Sequence, residues 1–528
     1  MHRSFAKPRQ VRLHLLGIIM SSLILSQCQS SSENKTDFDF EETSVLALQE
    51  AMLNGELSAV QITQHYLERI EALNPQLRAV IEVNPDALSI AAELDAERAN
   101  GELRSPLHGI PVMLKDNIDT ADRMHTTAGS YALLDAPTPA ADAFVAAQLR
   151  NAGAVLLAKT NLSEWANFRS TSASSGWSGR GGQTRNPYAP GLTACGSSSG
   201  SAVAVAANLT VLAVGTETDG SVVCPAGHTS IVGLKPTLGM ISRSGIIPIA
   251  HSQDTAGPMA RSVTDLALLL TALVGADAED DITTNMRTRE PLDYTAFLRA
   301  GALRGKRIGV QRQLFGNDTA LDALMEAQLD IMRKAGAELI DLEINSRSSF
   351  GDAETTVLLY EFKNDLNNYL YRRGGDIQSL ADLIAYNESN AQQEMPDFAQ
   401  ELFVQAQQTT DLGASEYLEA LGFSKAYSQS SINALIQELS LDAIMAPTNT
   451  VGWPVNPAGD DTENYIGSSS LAAVSGYPNI TIPAGYIDGF PIGISFMGPA
   501  FSEPTLIGIA YDYEQNSLAR KAPRLAAP

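Results

Sequence analysis

The chain has 528 residues, 44% of them hydrophobic and 18% charged, which supplies a large buried core and excludes global disorder. Its 36 Lys and Arg against 60 Asp and Glu leave a net charge of −24, a sign that repels phosphate backbones and argues against nucleic-acid binding as the main task. Three cysteines with no CxxC pair make neither a disulfide framework nor a structural zinc site.

The N-terminus has the order of an export signal. Residues 1–12 are basic, residues 13–25 (LHLLGIIMSSLIL) are mostly apolar, and Ser26-Gln27-Cys28 follows. The apolar run is too short to span a bilayer comfortably. The sequence therefore predicts a signal peptide over 1–27, and Cys28 resembles the lipidated cysteine of a bacterial lipobox, although Gln27 is a poor match before the cut. An ordinary cleaved signal with an incidental cysteine is the alternative. A Ser- and Asn-rich flexible tether over 28–43 follows. These features place the protein in the bacterial periplasm or envelope, touching membrane only through an N-terminal lipid anchor.

From residue 44 the pattern is helical. Ser58 and Gln61 form a capping box, and Ile62, Tyr66, Ile70 and Leu73 recur at helical spacing. Pro85 opens a second helix, which Gly101 ends. Apolar runs then alternate with helices: IPVMLK, a helix near 141–152, and AVLLAKT. Residues 319–344 repeat the pattern, a helix followed by AELIDLEI. This alternation argues an α/β fold, and the lack of an internal linker argues one large domain over 44–520. The stretch 186–216 holds no charged residue, and neither does 464–487. The first is rich in Gly, Ser and Ala, which suits a tightly packed, dry centre better than lipid contact.

Chemistry-bearing residues narrow quickly. The seven histidines include no HExxH pair, and none follows His251. Gly196-Ser-Ser-Ser-Gly200 fits a nucleophile elbow around Ser198, but that triad runs Ser, acid, then His, and the only later histidines, His228 and His251, come too soon for the strands that must intervene. S-x-x-K occurs only at Ser4–Lys7 and Ser32–Lys35, in the leader and tether. A serine nucleophile then needs lysine as its base. Lys115 ends the apolar run in PLHGIPVMLKDNID, Ser197 lies in CGSSSGS, and Ser221 lies in GTETDGSVVCPAG. Between the serines the chain reads loop, helix (SAVAVAAN), strand (LTVLAVG), loop. Out along a helix of ~12 Å and back along a strand of ~20 Å, the chain can return the two loops to one place.

With these motifs the sequence resembles the amidase signature family, hydrolases with a Ser–cis-Ser–Lys catalytic set. The resemblance extends through GAVLLAKTNLSEWANF, QTRNPY, GLKPTLG, SQDTAGPMARS, DAIMAPT and AAVSGYPNITIPAG, roughly residues 44–515. Within the family, CGSSSGSAVAVAAN and GTETDGSVVCPAG are most similar to the peptide amidases. The resemblance implies a single domain with a central mixed β-sheet surrounded by helices. It implies Ser221 as nucleophile, Ser197 as a bridging serine in a cis peptide, Lys115 as base, and no cofactor or metal. The backbone N–H groups of Thr218, Asp219, Gly220 and Ser221 are its implied oxyanion hole. The implied reaction is hydrolysis of a carboxamide through an acyl-enzyme, with a peptide C-terminal amide as substrate and ammonia as product. Small aliphatic or aryl amides are an alternative, and a non-catalytic peptide-binding envelope lipoprotein is an alternative of another class.

A lysine accepts a proton only when neutral, so its pKa must fall from about 10.4 toward 7–8, a bias of about 4 kcal/mol against the ammonium form. Burial in an uncharged centre has the right sign. A serine between nucleophile and lysine can accept one proton while donating another.

The sequence departs from the family pattern where Cys195, Ser199 and Asp219 replace glycines, Glu217 replaces Asp, and Val223 replaces a common Arg. Asp219 is expected to point away from the oxyanion, either accepting from a substrate N–H or stabilising its loop. His108 is expected to be structural. Cys195 and Cys224 are expected to be small packing residues, with a disulfide as the alternative. Trp165, Trp177 and Tyr188 suit either a cleft or the core, and residues 276–440 are expected to shape specificity.

Overall fold

The computed structural model describes residues 38–289, 291–315, 318–344, 349–456 and 467–525. The signal peptide over 1–27, Cys28, and the tether as far as residue 37 lie outside the described residues. From Phe40 onward the chain is one compact unit, and the Phe40 ring stacks on His65 at 3.8 Å between centroids.

The first elements follow local chemistry. Helix Ala59–Leu77 opens with the complete Ser58–Gln61 capping box, and its buried face carries Ile62, Tyr66, Ile70 and Leu73. Helix Ala87–Ala99 begins two residues beyond Pro85. Helix Phe144–Asn151 is flanked by the strands Pro111–Lys115 and Val155–Thr160. Helix Thr319–Lys334 is followed by strand Glu338–Leu342.

These strands belong to one sheet of 11. From edge to edge it runs Val80–Val83, Val155–Thr160, Pro111–Lys115, Leu212–Glu217, Thr255–Ala260, Val232–Lys235, Asn479–Ile487, Phe490–Met497, Ala443–Pro447, Arg307–Gln311 and Glu338–Leu342. The sheet is mixed. Pro111–Lys115 lies parallel to both its neighbours, and the middle strands pair antiparallel. Strands Val155–Thr160, Pro111–Lys115 and Leu212–Glu217 are buried at every position, which is why each reads as a continuous apolar run instead of an alternation. Because all three point the same way, their C-terminal residues Thr160, Lys115 and Glu217 gather at one edge of the sheet, where open α/β sheets place their ligand sites.

The uncharged stretch forms the packed centre. Helix Ser199–Ala206 is buried at all eight residues. A Cβ added at Gly200 meets the Ala79 carbonyl oxygen at 2.3 Å and the Asn161 carbonyl oxygen at 2.4 Å, so backbone touches backbone there. Helices Gly351–Arg373, Leu380–Ser389 and Glu401–Gln408 carry Phe362, Leu366, Leu383 and Phe403 into an apolar cluster with Trp165 and Phe168. Among the described residues no helix is long and apolar enough to cross a membrane.

Two glycine substitutions test this packing with opposite signs. Gly200→Ala is expected to destabilise by about 1–3 kcal/mol through overpacking. Gly422→Ala, on an exposed helical position with nothing within 4 Å of the new Cβ, is expected to stabilise by about 0.5–1 kcal/mol. Thermal midpoints of the two variants check both.

Candidate active site

Lys115 ends its strand inside the protein, with no exposed surface. Its Nζ lies 2.7 Å from Ser197 Oγ, 2.8 Å from Thr216 Oγ1 and 3.2 Å from the Thr216 carbonyl oxygen. No carboxylate is within ion-pair distance among the described residues. Burial pushes its pKa down from 10.5 to about 7, against the opposing pull of Asp254 and Glu217. Thr216 Oγ1 also accepts from the Asn117 amide at 3.0 Å. A neutral amine can donate to the carbonyl oxygen of Thr216 and still offer its lone pair to a hydroxyl.

Ser197 follows a cis peptide bond from Gly196, and its carbonyl oxygen accepts from the Ser163 N–H at 3.0 Å. Ser198, the elbow candidate, is committed elsewhere. Its hydroxyl donates to the Thr216 carbonyl oxygen at 3.0 Å and accepts from the Thr216 N–H at 3.1 Å, while its own N–H donates to the Ser221 carbonyl oxygen at 3.1 Å. Ser198 thus stitches the two loops together and has no free hydroxyl for attack.

Ser221 is 8% exposed and lines a cavity of about 510 Å³ together with Gly196, Thr218 and Asp219. No hydrogen bond joins its hydroxyl to Ser197 or to any other described side chain. The N–H groups of Thr218, Asp219, Gly220 and Ser221 donate to no acceptor among the described residues. Gly220 turns this loop with φ +79°, a left-handed conformation that glycine adopts without penalty. Two acids hold the loop from below. Glu217 accepts the Val222 and Val223 N–H groups at 2.8 and 3.0 Å, and Asp254 accepts the Thr218 hydroxyl.

The remaining candidates divide. The two Asp219 carboxylate oxygens accept from Ser469 Oγ and Ser470 Oγ, each at 2.6 Å, so its carboxylate braces a loop while lining the cavity. Cys195 and Cys224 are joined in a disulfide with Cα atoms 5.9 Å apart. The expectation of separate packing residues is corrected, because the helix-out, strand-back path sets the two loops face to face. His108 is buried with Nε2 2.9 Å from the Leu94 carbonyl oxygen. Trp165 packs on Phe403 and Trp177 on Phe398, while the Tyr188 hydroxyl donates to the Lys521 carbonyl oxygen. None of these four lines the Ser221 cavity.

Sequence reasoning missed Thr216 and Asn117, although both stand inside the motifs GTETDGSVVCPAG and PLHGIPVMLKDNID. It also named no residue for the opposite wall, where Glu354, Thr355, Leu358 and Leu402 face the cavity. Two clusters bring three potential metal ligands within 4.8 Å: Cys195, Cys224 and His228, and His251, Glu361 and Asp365. In the first the sulfurs are bonded to each other. In the second His251 Nδ1 sits 2.8 Å from Asp365, an ion-pair arrangement.

A buried lysine against a serine hydroxyl, with a second serine and unpaired amides facing a cavity, is the equipment of an acyl-transfer enzyme. The Amidase family model matches residues 61–507, and the chain belongs to that family; it is an amide-hydrolysing enzyme. A probable amidase of Arabidopsis thaliana is 42% identical over 523 residues, 97% of each chain. Native peptide amidase from Stenotrophomonas maltophilia is 51% identical with a TM-score of 0.88, over 92% of this chain and 99% of its own. The same identity and a TM-score of 0.90, over 92% and 100%, relate the chain to a peptide amidase in complex with the competitive inhibitor chymostatin. The structure of this chain is thus peptide amidase-like.

Removing the hydroxyl that steadies the lysine tests the site. Thr216→Val is expected to lower kcat/KM about tenfold, the worth of one hydrogen bond of about 1.4 kcal/mol. Thr216→Ser is expected to retain activity. Steady-state kinetics of both variants decide it.

Proposed function

We propose that this enzyme removes the C-terminal amide of peptides, with Lys115, Ser197 and Ser221 as its catalytic set. The observation that carries the reading is the Lys115 amine, held 2.7 Å from Ser197 Oγ in a buried place that brings its pKa to about 7. Ser221 Oγ attacks the carboxamide carbon, its proton passing to Ser197 as the proton of Ser197 passes to Lys115. The Ser197–Ser221 hydrogen bond this requires forms as substrate seats Ser221, since such contacts often tighten only in the complex. The oxyanion is received by the unpaired N–H groups of residues 218–221, each worth about 3–4 kcal/mol in the transition state. The proton returns through Ser197 to the leaving nitrogen, and ammonia departs. Water then attacks the Ser221 ester by the same route in reverse and releases the acid.

The cavity supports a peptide-sized substrate. Its volume of about 510 Å³ lies in the range of sites for drug-sized ligands, and a small aliphatic amide leaves most of it unfilled. Phe168, Ile249, Leu358 and Leu402 supply apolar wall, and Asp219 a polar acceptor. A solved relative bound to chymostatin is a peptide amidase. Export and acylation of Cys28 belong to the same proposal, and metabolic acyl labelling of the intact chain, lost in Cys28→Ala, tests them.

Matched peptide amides, free peptides and small amides, followed by ammonia release, test the substrate class; peptide amides are expected to turn over fastest. Ser221→Ala and Lys115→Met are each expected to lower kcat by about a thousandfold or more, whereas a peptide-binding module would keep its function without Ser221. Because the base must be neutral, kcat/KM is expected to rise about tenfold per pH unit below the lysine pKa and level off above about 7. A rate that falls across that range rejects Lys115 as the base.

A further inference from the structure

We infer that the Cys195–Cys224 disulfide is a positioning element of the reaction, one that fixes the oxyanion-binding peptide plane against the loop carrying Ser197. This rests on the roles proposed above for Ser197 and Ser221.

The crosslink sits where leverage is greatest. Cys195 stands two residues before Ser197 and Cys224 three after Ser221, and the bond spans a sequence separation of 29. Among the described residues Ser198 otherwise links these segments directly, its N–H to the Ser221 carbonyl oxygen and its hydroxyl to the Thr216 main chain just before the second loop. From Cys224 the constraint passes to the chemistry in one step. The Cys224 N–H donates to the Gly220 carbonyl oxygen at 2.8 Å, and that carbonyl shares a rigid peptide plane with the Ser221 N–H. Gly220, at φ +79°, lacks the Cβ that would otherwise restrict this plane. Cys224 therefore sets the direction in which an oxyanion donor points.

The other end of the crosslink shows a cost that a packing residue does not explain. Cys195 has φ +55°, in the left-handed region where any side chain is disfavoured and glycine is at ease. Its N–H donates to Thr193 Oγ1 at 2.9 Å, and its carbonyl oxygen accepts from Ser199 Oγ. Glycine would fit this backbone better; what cysteine adds there is the bond to Cys224. Both cysteines are buried, with Cys195 6% and Cys224 2% exposed.

The test uses the full-length enzyme in two arms, with kcat, KM and thermal midpoint read on a peptide amide. In one arm the wild type is reduced with tris(2-carboxyethyl)phosphine. The disulfide takes two electrons and two protons to give two thiols, and the phosphine takes oxygen from water to become its oxide. Alkylation and mass confirm the two thiols before assay, and oxidised glutathione then restores the bond. In the other arm Cys195→Gly with Cys224→Ala removes the bond while leaving a residue suited to the left-handed backbone. Both arms are expected to lower kcat about tenfold or more while KM stays within about twofold, and reoxidation of the wild type is expected to restore kcat. A lowered thermal midpoint with kcat unchanged in either arm overturns the inference, because the crosslink is then merely structural. Peptide mapping that finds Cys195 and Cys224 as free thiols in fully active enzyme also overturns it. Activity surviving in Ser221→Ala rejects the proposed nucleophile instead, whatever the disulfide does.

Discussion

The site depends on the cost of keeping a charge away from water. An ammonium at position 115 would sit among hydroxyls and a carbonyl, with Thr216 and Ser197 as its neighbours and no carboxylate in contact among the described residues. Desolvation then outweighs the attraction of Asp254 and Glu217, and the amine loses its proton near neutrality. Burial alone does not make such a group useful. Lys159 and Lys235 are equally buried and also shifted down, Lys235 to about 8. Lys159 donates to the Ile118 carbonyl oxygen and Thr126 Oγ1, and Lys235 to the Pro236 carbonyl oxygen. Of the three, Lys115 alone reaches a serine whose neighbouring loop opens on the cavity.

The rest of the fold keeps that placement rigid and dry. Parallel strands bring Lys115 and Glu217 to one edge, and close contact at Gly200 seats the helix that begins just after Ser197. Acidic residues serve as braces. Glu217 caps the helix after the Ser221 loop, Asp254 holds Thr218, and Asp219 clasps Ser469 and Ser470. Each of these carboxylates is engaged by the hydrogen bonds it accepts.

Much of this was legible in the sequence because the signals are short-ranged. The capping box at Ser58, the near-continuous apolar runs of buried strands and the motif residues at 115, 197 and 221 each depend on a few neighbouring positions. The uncharged stretch 186–216 suited a dry centre for the same reason, since charged side chains are rarely buried completely without partners. The lengths of a helix and a returning strand made the proximity of the two serine loops feasible, without requiring it.

Tertiary structure decided what distant segments do to one another. That Asp219 meets Ser469 and Ser470, some 250 residues away, follows from strand Asn479–Ile487 lying beside Val232–Lys235 in the middle of the sheet, an order no local pattern encodes. The wall from Glu354 to Leu402 likewise comes from helices whose sequence holds no chemical motif. The disulfide is the sharpest case: the two cysteines and their spacing were visible, but whether sulfur meets sulfur depends on the angle at which two loops face each other. Side-chain types and local periodicity fix which chemistry is available; the packing of the whole chain fixes which groups come within bonding distance.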